Sequence, residues 1–308
     1  MLDLLRIAIC VLFSFLLFIP SAASAEEAKK GPPLPLLGIE GYGGVAITYS
    51  AYLVNPAKPG ELFGKPSAEV GAVGSPTGRW ITFGMLSENI AGRIELGYGV
   101  DVLDLHNLPA KVGRETGLSL NEGTTYLHNF NLRLNVLKEG EYGLPWLPAV
   151  TFGAHYKVNQ NLTSINSDLM NTLTAIGIKD NEGTEFTLYA SKMLKFLPRP
   201  VLVNVGVRNT NAAHIGLLGF TGHREFLAEG NVLIFLTDRF LVGAEYREQP
   251  NAYKAIPGLV GPEDDWFSFV AAYVVNERLT VAGGIFNFGE VLNHSDNGAI
   301  GLKIKYEF

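Results

Sequence analysis

The last ten residues, Ala299 to Phe308, read AIGLKIKYEF and alternate strictly in character. Ile300, Leu302, Ile304, Tyr306 and Phe308 fall on one side of an extended chain. Ala299, Gly301, Lys303, Lys305 and Glu307 fall on the other, because successive side chains of a pleated backbone point to opposite faces. An average strand has about 5–6 residues, whereas crossing a bilayer at a tilt takes roughly 9–11. The stretch would also serve as the last strand of a soluble antiparallel sheet, so the decision rests on whether the pattern recurs.

It does recur. Strands are predicted at 67–74, 79–87, 90–104, 122–137, 146–158, 184–195, 200–209, 223–236, 239–247, 264–275, 278–288 and 299–308. Tyr126, Phe130, Leu132, Leu134 and Val136 oppose Asn129, Asn131, Arg133 and Asn135. Val201, Val203, Val205 and Val207 oppose Leu202, Asn204, Gly206 and Arg208, and Phe240, Val242, Ala244 and Tyr246 oppose Gly243, Glu245 and Arg247. Thr184 to Leu194 is the least clean, because Lys192 falls on its apolar face; a lysine near the interface can snorkel. Counting back from a periplasmic C-terminus, the inner links are tight at Phe196–Arg199, Leu236–Arg239 and Asn276–Glu277, and middling at Lys138–Pro145. The outer links 105–121, 159–183, 210–222, 248–263 and 289–298 are long, with Ser75–Gly78 the short exception. Short periplasmic turns and long outer loops are the rhythm of an outer-membrane barrel, whereas a soluble sandwich or propeller does not dictate which links are long.

The N-terminus fits the same reading. Arg6, the apolar run Ile7 to Ile19 and the Ala23-Ser24-Ala25 cleavage site predict a signal peptide over 1–25; the run is shorter than the roughly 20 residues of a spanning helix. Cys10, the only cysteine, leaves with it, so the mature chain has neither a disulfide nor a thiolate metal site. No helix-length apolar stretch follows, and an all-β chain crosses a bilayer only as a closed barrel, since lipid cannot satisfy open strand edges. The expected fold is therefore all-β, a 12-stranded antiparallel transmembrane β-barrel of outer-membrane type over residues 67–308. Residues 26–66 are a lead-in or plug segment, rich in Pro and Gly around an apolar centre at Val45 to Val54. An extra strand, a segment tucked into the lumen and a periplasmic lead-in all fit it.

The closing KYEF, with Tyr306 and Phe308, resembles the C-terminal signature by which the barrel assembly machinery recognises bacterial outer-membrane proteins. GGVAIT (Gly43–Thr48), AYLVNP (Ala51–Pro56), IELGYG (Ile94–Gly99), TYLHNFNLR (Thr125–Arg133), HIGLLGF (His214–Phe220) and IPGLVGPEDDW (Ile256–Trp266) resemble an outer-membrane family known only as a domain of unknown function. That resemblance implies placement in the bacterial outer membrane but brings no activity. The partners expected there are outer-membrane lipid and lipopolysaccharide, the barrel assembly machinery and a small polar solute.

Strand parity predicts a lumen lined by Arg93, Glu95, Asp101, Arg133, His155, Lys157, Arg208, Glu229, Glu245, Arg247, Lys303, Lys305 and Glu307. Eight strands leave a bore that side chains fill and 16–18 an aqueous channel; twelve fall between. The expected function is a narrow channel or uptake porin for small polar solutes. A non-conducting structural barrel serving envelope assembly or polysaccharide export is the alternative, because a barrel interior is polar whatever its role. A membrane lipid hydrolase is the third reading, with His294-Ser295-Asp296 as its only candidate, set in ordinary loop composition without a G-x-S-x-G elbow. No cofactor or metal is expected: His223 and Glu225 share a face without a visible third ligand. His106 and His128 read as rim or sheet residues. The net charge of −6 argues against nucleic acid. Glu263-Asp264-Asp265 suits a solvated loop end or divalent-ion bridging to lipopolysaccharide. Trp80, Trp146, Trp266, Tyr126, Tyr246 and Tyr306 are expected in aromatic girdles, and the loop Asn159–Gly183, with Leu169, Leu173, Ile176 and Ile178, in a short helix over the pore mouth.

Overall fold

The computed structural model describes residues 36–254, 263–290 and 295–308; the predicted signal peptide and His294 lie outside the described residues. A two-residue hairpin, β1 (Leu36–Leu37) and β2 (Gly43–Gly44), precedes the barrel. The wall then runs β3 (Ser67–Gly74), β4 (Trp80–Ile90), β5 (Ile94–Asp104), β6 (Thr124–Leu137) and β7 (Ala149–Asn159). After β8 (Ile178–Asp180), a short strand in an outer loop, it continues with β9 (Glu182–Leu194), β10 (Val201–Ala212), β11 (Phe220–Phe235) and β12 (Phe240–Arg247). β13 (Trp266–Val274), β14 (Leu279–Glu290) and β15 (Ser295–Glu307) complete it. Every wall strand pairs antiparallel with its neighbours, and β15 closes on β3 from Ile300↔Gly74 to Glu307↔Ser67. Twelve strands form a cylinder with no free edge, the one sheet topology a bilayer accepts.

The alternation sorts side chains between lipid and bore. Leu86, Leu96, Phe130, Leu132, Phe152, Leu188, Val232, Phe269, Leu302 and Ile304 face outward and are exposed. An apolar belt running around a whole cylinder far exceeds the patches soluble proteins tolerate, so it meets acyl chains, and the protein is an outer-membrane barrel. Trp80, Trp146, Phe196 and Phe308 are exposed near strand ends, where a girdle forms, and Tyr306 meets Phe308 edge-on at 5.2 Å. Trp266 departs from expectation: it begins β13 but turns into the bore and is buried. Lys192 reaches down to the inner interface, 3.0 Å from Glu139 and 3.3 Å from the Leu147 carbonyl.

The outer links 105–123, 160–181, 213–219 and 248–265 are long as predicted, whereas β14 and β15 leave only 291–294 between them where 289–298 was expected, the inner β6–β7 link extends over 138–148, and one turn is shifted. The β4–β5 turn falls at 91–93 rather than at 88–89, and Ala91 (φ 52°) and Gly92 (φ 63°) adopt the left-handed conformation that matches hairpin twist. The long β7–β9 link holds two short helices, α2 (Leu162–Asp168) and α3 (Thr172–Ile176), following α1 (Leu108–Thr116) in the β5–β6 link. Leu162, Ile165 and Ile176 are buried beneath the two β7–β9 helices.

Candidate functional site

The bore is occupied by the chain's own residues 36–54, nearly all of which are buried. A Gly-rich segment with so little regular structure must find partners for its backbone polar groups, and here the wall supplies them. The Glu245 carboxylate of β12 accepts from the backbone N–H groups of Ala46 (3.1 Å), Ile47 (3.2 Å) and Thr48 (3.0 Å) and from the Thr48 hydroxyl (2.7 Å). Across the bore, Glu95 of β5 accepts from Gly43 N–H (2.9 Å), Val54 N–H (2.6 Å) and Arg133 (2.9 Å). Arg133 in turn donates to the Gly43 and Ser50 carbonyls, and Asn131 to the Glu40 carbonyl at 2.7 Å. Lys303 of β15 donates to the Leu37 and Val45 carbonyls and pairs with Glu69 at 2.9 Å. Ser191 of β9 accepts from Ala51 N–H at 2.7 Å.

Glu40 is the hub of this network. Its carboxylate takes Lys157 on one oxygen, and Arg247 (2.6 Å) and the Tyr49 hydroxyl on the other. Arg247 also donates to the Ile47 carbonyl at 2.9 Å and stands over the Tyr49 ring. Tyr42 stacks between Tyr49 (3.8 Å) and His155 (4.2 Å), and His155 is held by Asn131 and Thr187. Arg208 pairs with Glu229 at 2.7 Å and lies 3.6 Å from Glu185; Asp101 accepts from Asn129 at 2.8 Å; Lys305 pairs with Glu307 at 2.7 Å. Of the charges expected to line an aqueous path, Glu95, Arg133, Lys157, Glu245, Arg247 and Lys303 bind the segment instead.

Two placements differ from the sequence reading. Arg93 is not in the bore: it lies in the β4–β5 turn at the inner rim and binds Glu141, whose carboxyl this hydrogen bond holds below its ordinary pKa. The bore is also two-sided. β13, β14, β3 and β4 turn Val270, Ala282, Phe286, Val73 and Phe83 inward, against Leu36, Ile39, Val45 and Ile47 of the segment. Glu40, Glu69, Glu185, Tyr42, Tyr49 and Tyr189 were not among the sequence candidates. For Glu40 a signal existed, since it is the only charge between Lys30 and Lys58.

The seat of the segment is a close backbone contact. A Cβ on Gly97 of β5 would lie 2.4 Å from the Gly41 carbonyl oxygen, and Gly41 itself needs φ +84°. Gly97→Val therefore leaves a residue that strands favour while evicting the segment from its seat. The expected outcome is unchanged barrel unfolding together with faster proteolysis within residues 36–54; equal protection of the segment would show the contact to be dispensable.

Above the segment, residues 213–219 fold into the outer mouth. His214 and Ile215 have φ of 45° and 60°, strained for non-glycine residues. The turn is pinned by Asn159 to the Gly216 (3.2 Å) and Leu217 (2.8 Å) carbonyls and by Lys157 to Ile215. Asp296, of the hydrolase candidate, binds Arg79 at 2.8 Å and accepts from Ser75 and Thr77; the Ser295 side chain lies outside the description. Among the described residues, no three His, Cys, Asp or Glu side chains are grouped to hold a metal ion; His223 and Glu225 form an exposed pair.

Residues 37–305 match the family described as DUF3034, protein of unknown function, and the chain belongs to it. No curated protein matches. Among solved structures the chain is similar to the Acinetobacter baumannii outer membrane protein Omp33, at 12% identity over 80% of this chain and 99% of that one with a TM-score of 0.40. It is similar also to the NanC porin (12%, 79% and 98%, TM-score 0.42) and to outer membrane phospholipase A from Escherichia coli (10%, 79% and 96%, TM-score 0.36).

Proposed function

We propose that this DUF3034 barrel is an outer-membrane conduit for small solutes that rests closed, with its own residues 36–54 as the stopper. The observation that carries the reading is how the polar side of the segment is held. Glu95, Arg133, Glu245 and Lys303 bind its backbone from around the bore, and water can replace each of those bonds when the segment moves. An open porin for polar solutes would leave these groups facing a wet lumen.

The test uses an isosteric clamp. Ser50 Oγ and Ser191 Oγ lie 3.2 Å apart, one on the segment and one on β9, and the chain's single cysteine is Cys10 of the predicted signal peptide. Ser50→Cys/Ser191→Cys is expected to form a bridge that ties the stopper to the wall. In planar bilayers the oxidised protein should stay shut, and reduction should restore the wild type's brief openings. Identical traces before and after reduction would remove the stopper from the gating step. A folded variant lacking residues 36–54 that still never conducts would favour the non-conducting structural barrel instead.

A further inference from the structure

Two small chambers lie on the apolar side of the bore. The inner one, between stopper and wall, is lined by Ile39, Val45, Ile47, Val73, Phe83 and Phe286 among others. The outer one is lined by Val73, Ile81, Leu103, Leu218, Trp266 and Phe288, with Ser75, Arg79 and Asp296 also on its boundary. Val73 and Phe288 border both. An aromatic ladder runs along them: Phe286 stacks on Phe288 (5.8 Å), Phe288 meets Trp266 edge-on (4.9 Å), and Trp266 stacks on His214 (6.2 Å). The Trp266 ring is 3% exposed, yet its indole N–H has no acceptor among the described residues. Buried donors are almost always paired, and a mostly apolar cavity with a few polar groups on its boundary, here Trp266 with Ser75, Arg79, His214 and Asp296, is the usual form of a small-molecule site.

We infer that these chambers bind a small, mostly apolar ring compound carrying one hydrogen-bond acceptor oxygen, its ring against Val73 and Phe288 and its oxygen on the Trp266 indole N–H. As a statement about cargo this rests on the conduit reading: the bound molecule is what passes when the stopper shifts, by the apolar side of the bore rather than the charged one. The charged side is closed by its bonds to the segment. The apolar side makes fewer such bonds, from Lys303 to the Leu37 and Val45 carbonyls and from Leu37 N–H to Glu69, and holds free space between them, so a ring compound enters there with least rearrangement.

The chain holds three tryptophans, and two of them, Trp80 and Trp146, face outward at the lipid boundary. Their indole N–H signals in a nitrogen-15 NMR spectrum of the full mature protein report solute that merely partitions into detergent, and Trp266 reports the chambers. Titration with acetophenone is expected to move the Trp266 signal saturably and several times further than the other two. Ethylbenzene, of similar shape but without the oxygen, should move it little. Val73→Phe, which adds bulk on the border of both chambers without touching Trp266 chemistry, should abolish the saturable shift while Trp80 and Trp146 stay as in wild type. Equal movement of all three signals, equal response to ethylbenzene, or a shift that survives Val73→Phe would overturn the site. These outcomes do not depend on conductance. A specific shift in a barrel that never opens leaves the site and removes the conduit, and an opening barrel with no shift does the reverse.

Discussion

Deleting residues 36–54 is expected to turn a closed barrel into a steadily conducting one. Only the β1–β2 hairpin lies within the deletion, and no wall strand takes part in it, so the twelve-strand ladder keeps all of its hydrogen bonds. What the deletion exposes is a lining that water can satisfy. Among the described residues the buried wall charges are Glu69, Glu95, Asp101, Glu185, Glu229, Glu245 and Asp296 against Arg133, Lys157, Arg208, Arg247, Lys303 and Lys305, with the part-buried Arg79, 2.8 Å from Asp296, as the seventh cation. With these signs in balance, the emptied bore should pass small cations and anions at comparable rates, so the reversal potential in a salt gradient should stay near zero. Twelve strands enclose more room than the eight whose side chains fill the interior, which is why loss of the segment opens a path rather than being closed by relaxation. Planar-bilayer recording of the refolded variant, with heat-modifiable electrophoretic mobility as proof of the closed barrel, measures this. A silent trace would favour the non-conducting structural barrel, its bore still filled by residues 213–219, whose bonds to Asn159 and Thr125 survive the deletion.

The wall was legible in the sequence because lipid and bore impose opposite demands on alternate residues, and β6, β10 and β15 obey them cleanly. Legibility fails where that contrast disappears. In β13 and β14 the inward Val270, Ala272, Ala282 and Phe286 are as apolar as the outward Phe267, Phe269, Val281 and Ile285, so parity says nothing about an apolar half of the bore. Trp266 looked like a girdle residue because it stands at a strand end; only the fold of 213–219 and the β13 register show it facing His214. The stopper has no period to read, since its conformation is set by side chains distant in sequence: Ala46 to Thr48 meet Glu245 some two hundred positions later. The strings that carried the family resemblance nevertheless converge here. GGVAIT and AYLVNP form the segment, IELGYG its glycine seat and Glu95, TYLHNFNLR contributes Asn131 and Arg133, and HIGLLGF the turn above.

Glu40→Ala should shift the same equilibrium without removing any backbone. Lys157 and Arg247, both fully buried, would lose the carboxylate they share, and the Tyr49 hydroxyl would lose its acceptor. Removing one partner of a buried ion pair typically costs about 3–5 kcal/mol. Glu185 at 3.5 Å from Lys157 and Glu229 at 3.6 Å from Arg247 compensate in part, so the lower end applies. A shift of about 3 kcal/mol is roughly a hundredfold in the ratio of seated to displaced segment. The cost falls on the closed state alone, because in a wet bore both cations are hydrated. Openings in planar bilayers should therefore become about a hundred times more frequent, while thermal unfolding of the barrel barely moves. Glu40→Gln retains an acceptor oxygen but no charge and should fall between. Adding Lys157→Met to Glu40→Ala removes one orphaned cation and should restore part of the closure. If the alanine variant opens no more often than wild type, or if the barrel itself melts early, Glu40 holds the wall together rather than the stopper in place.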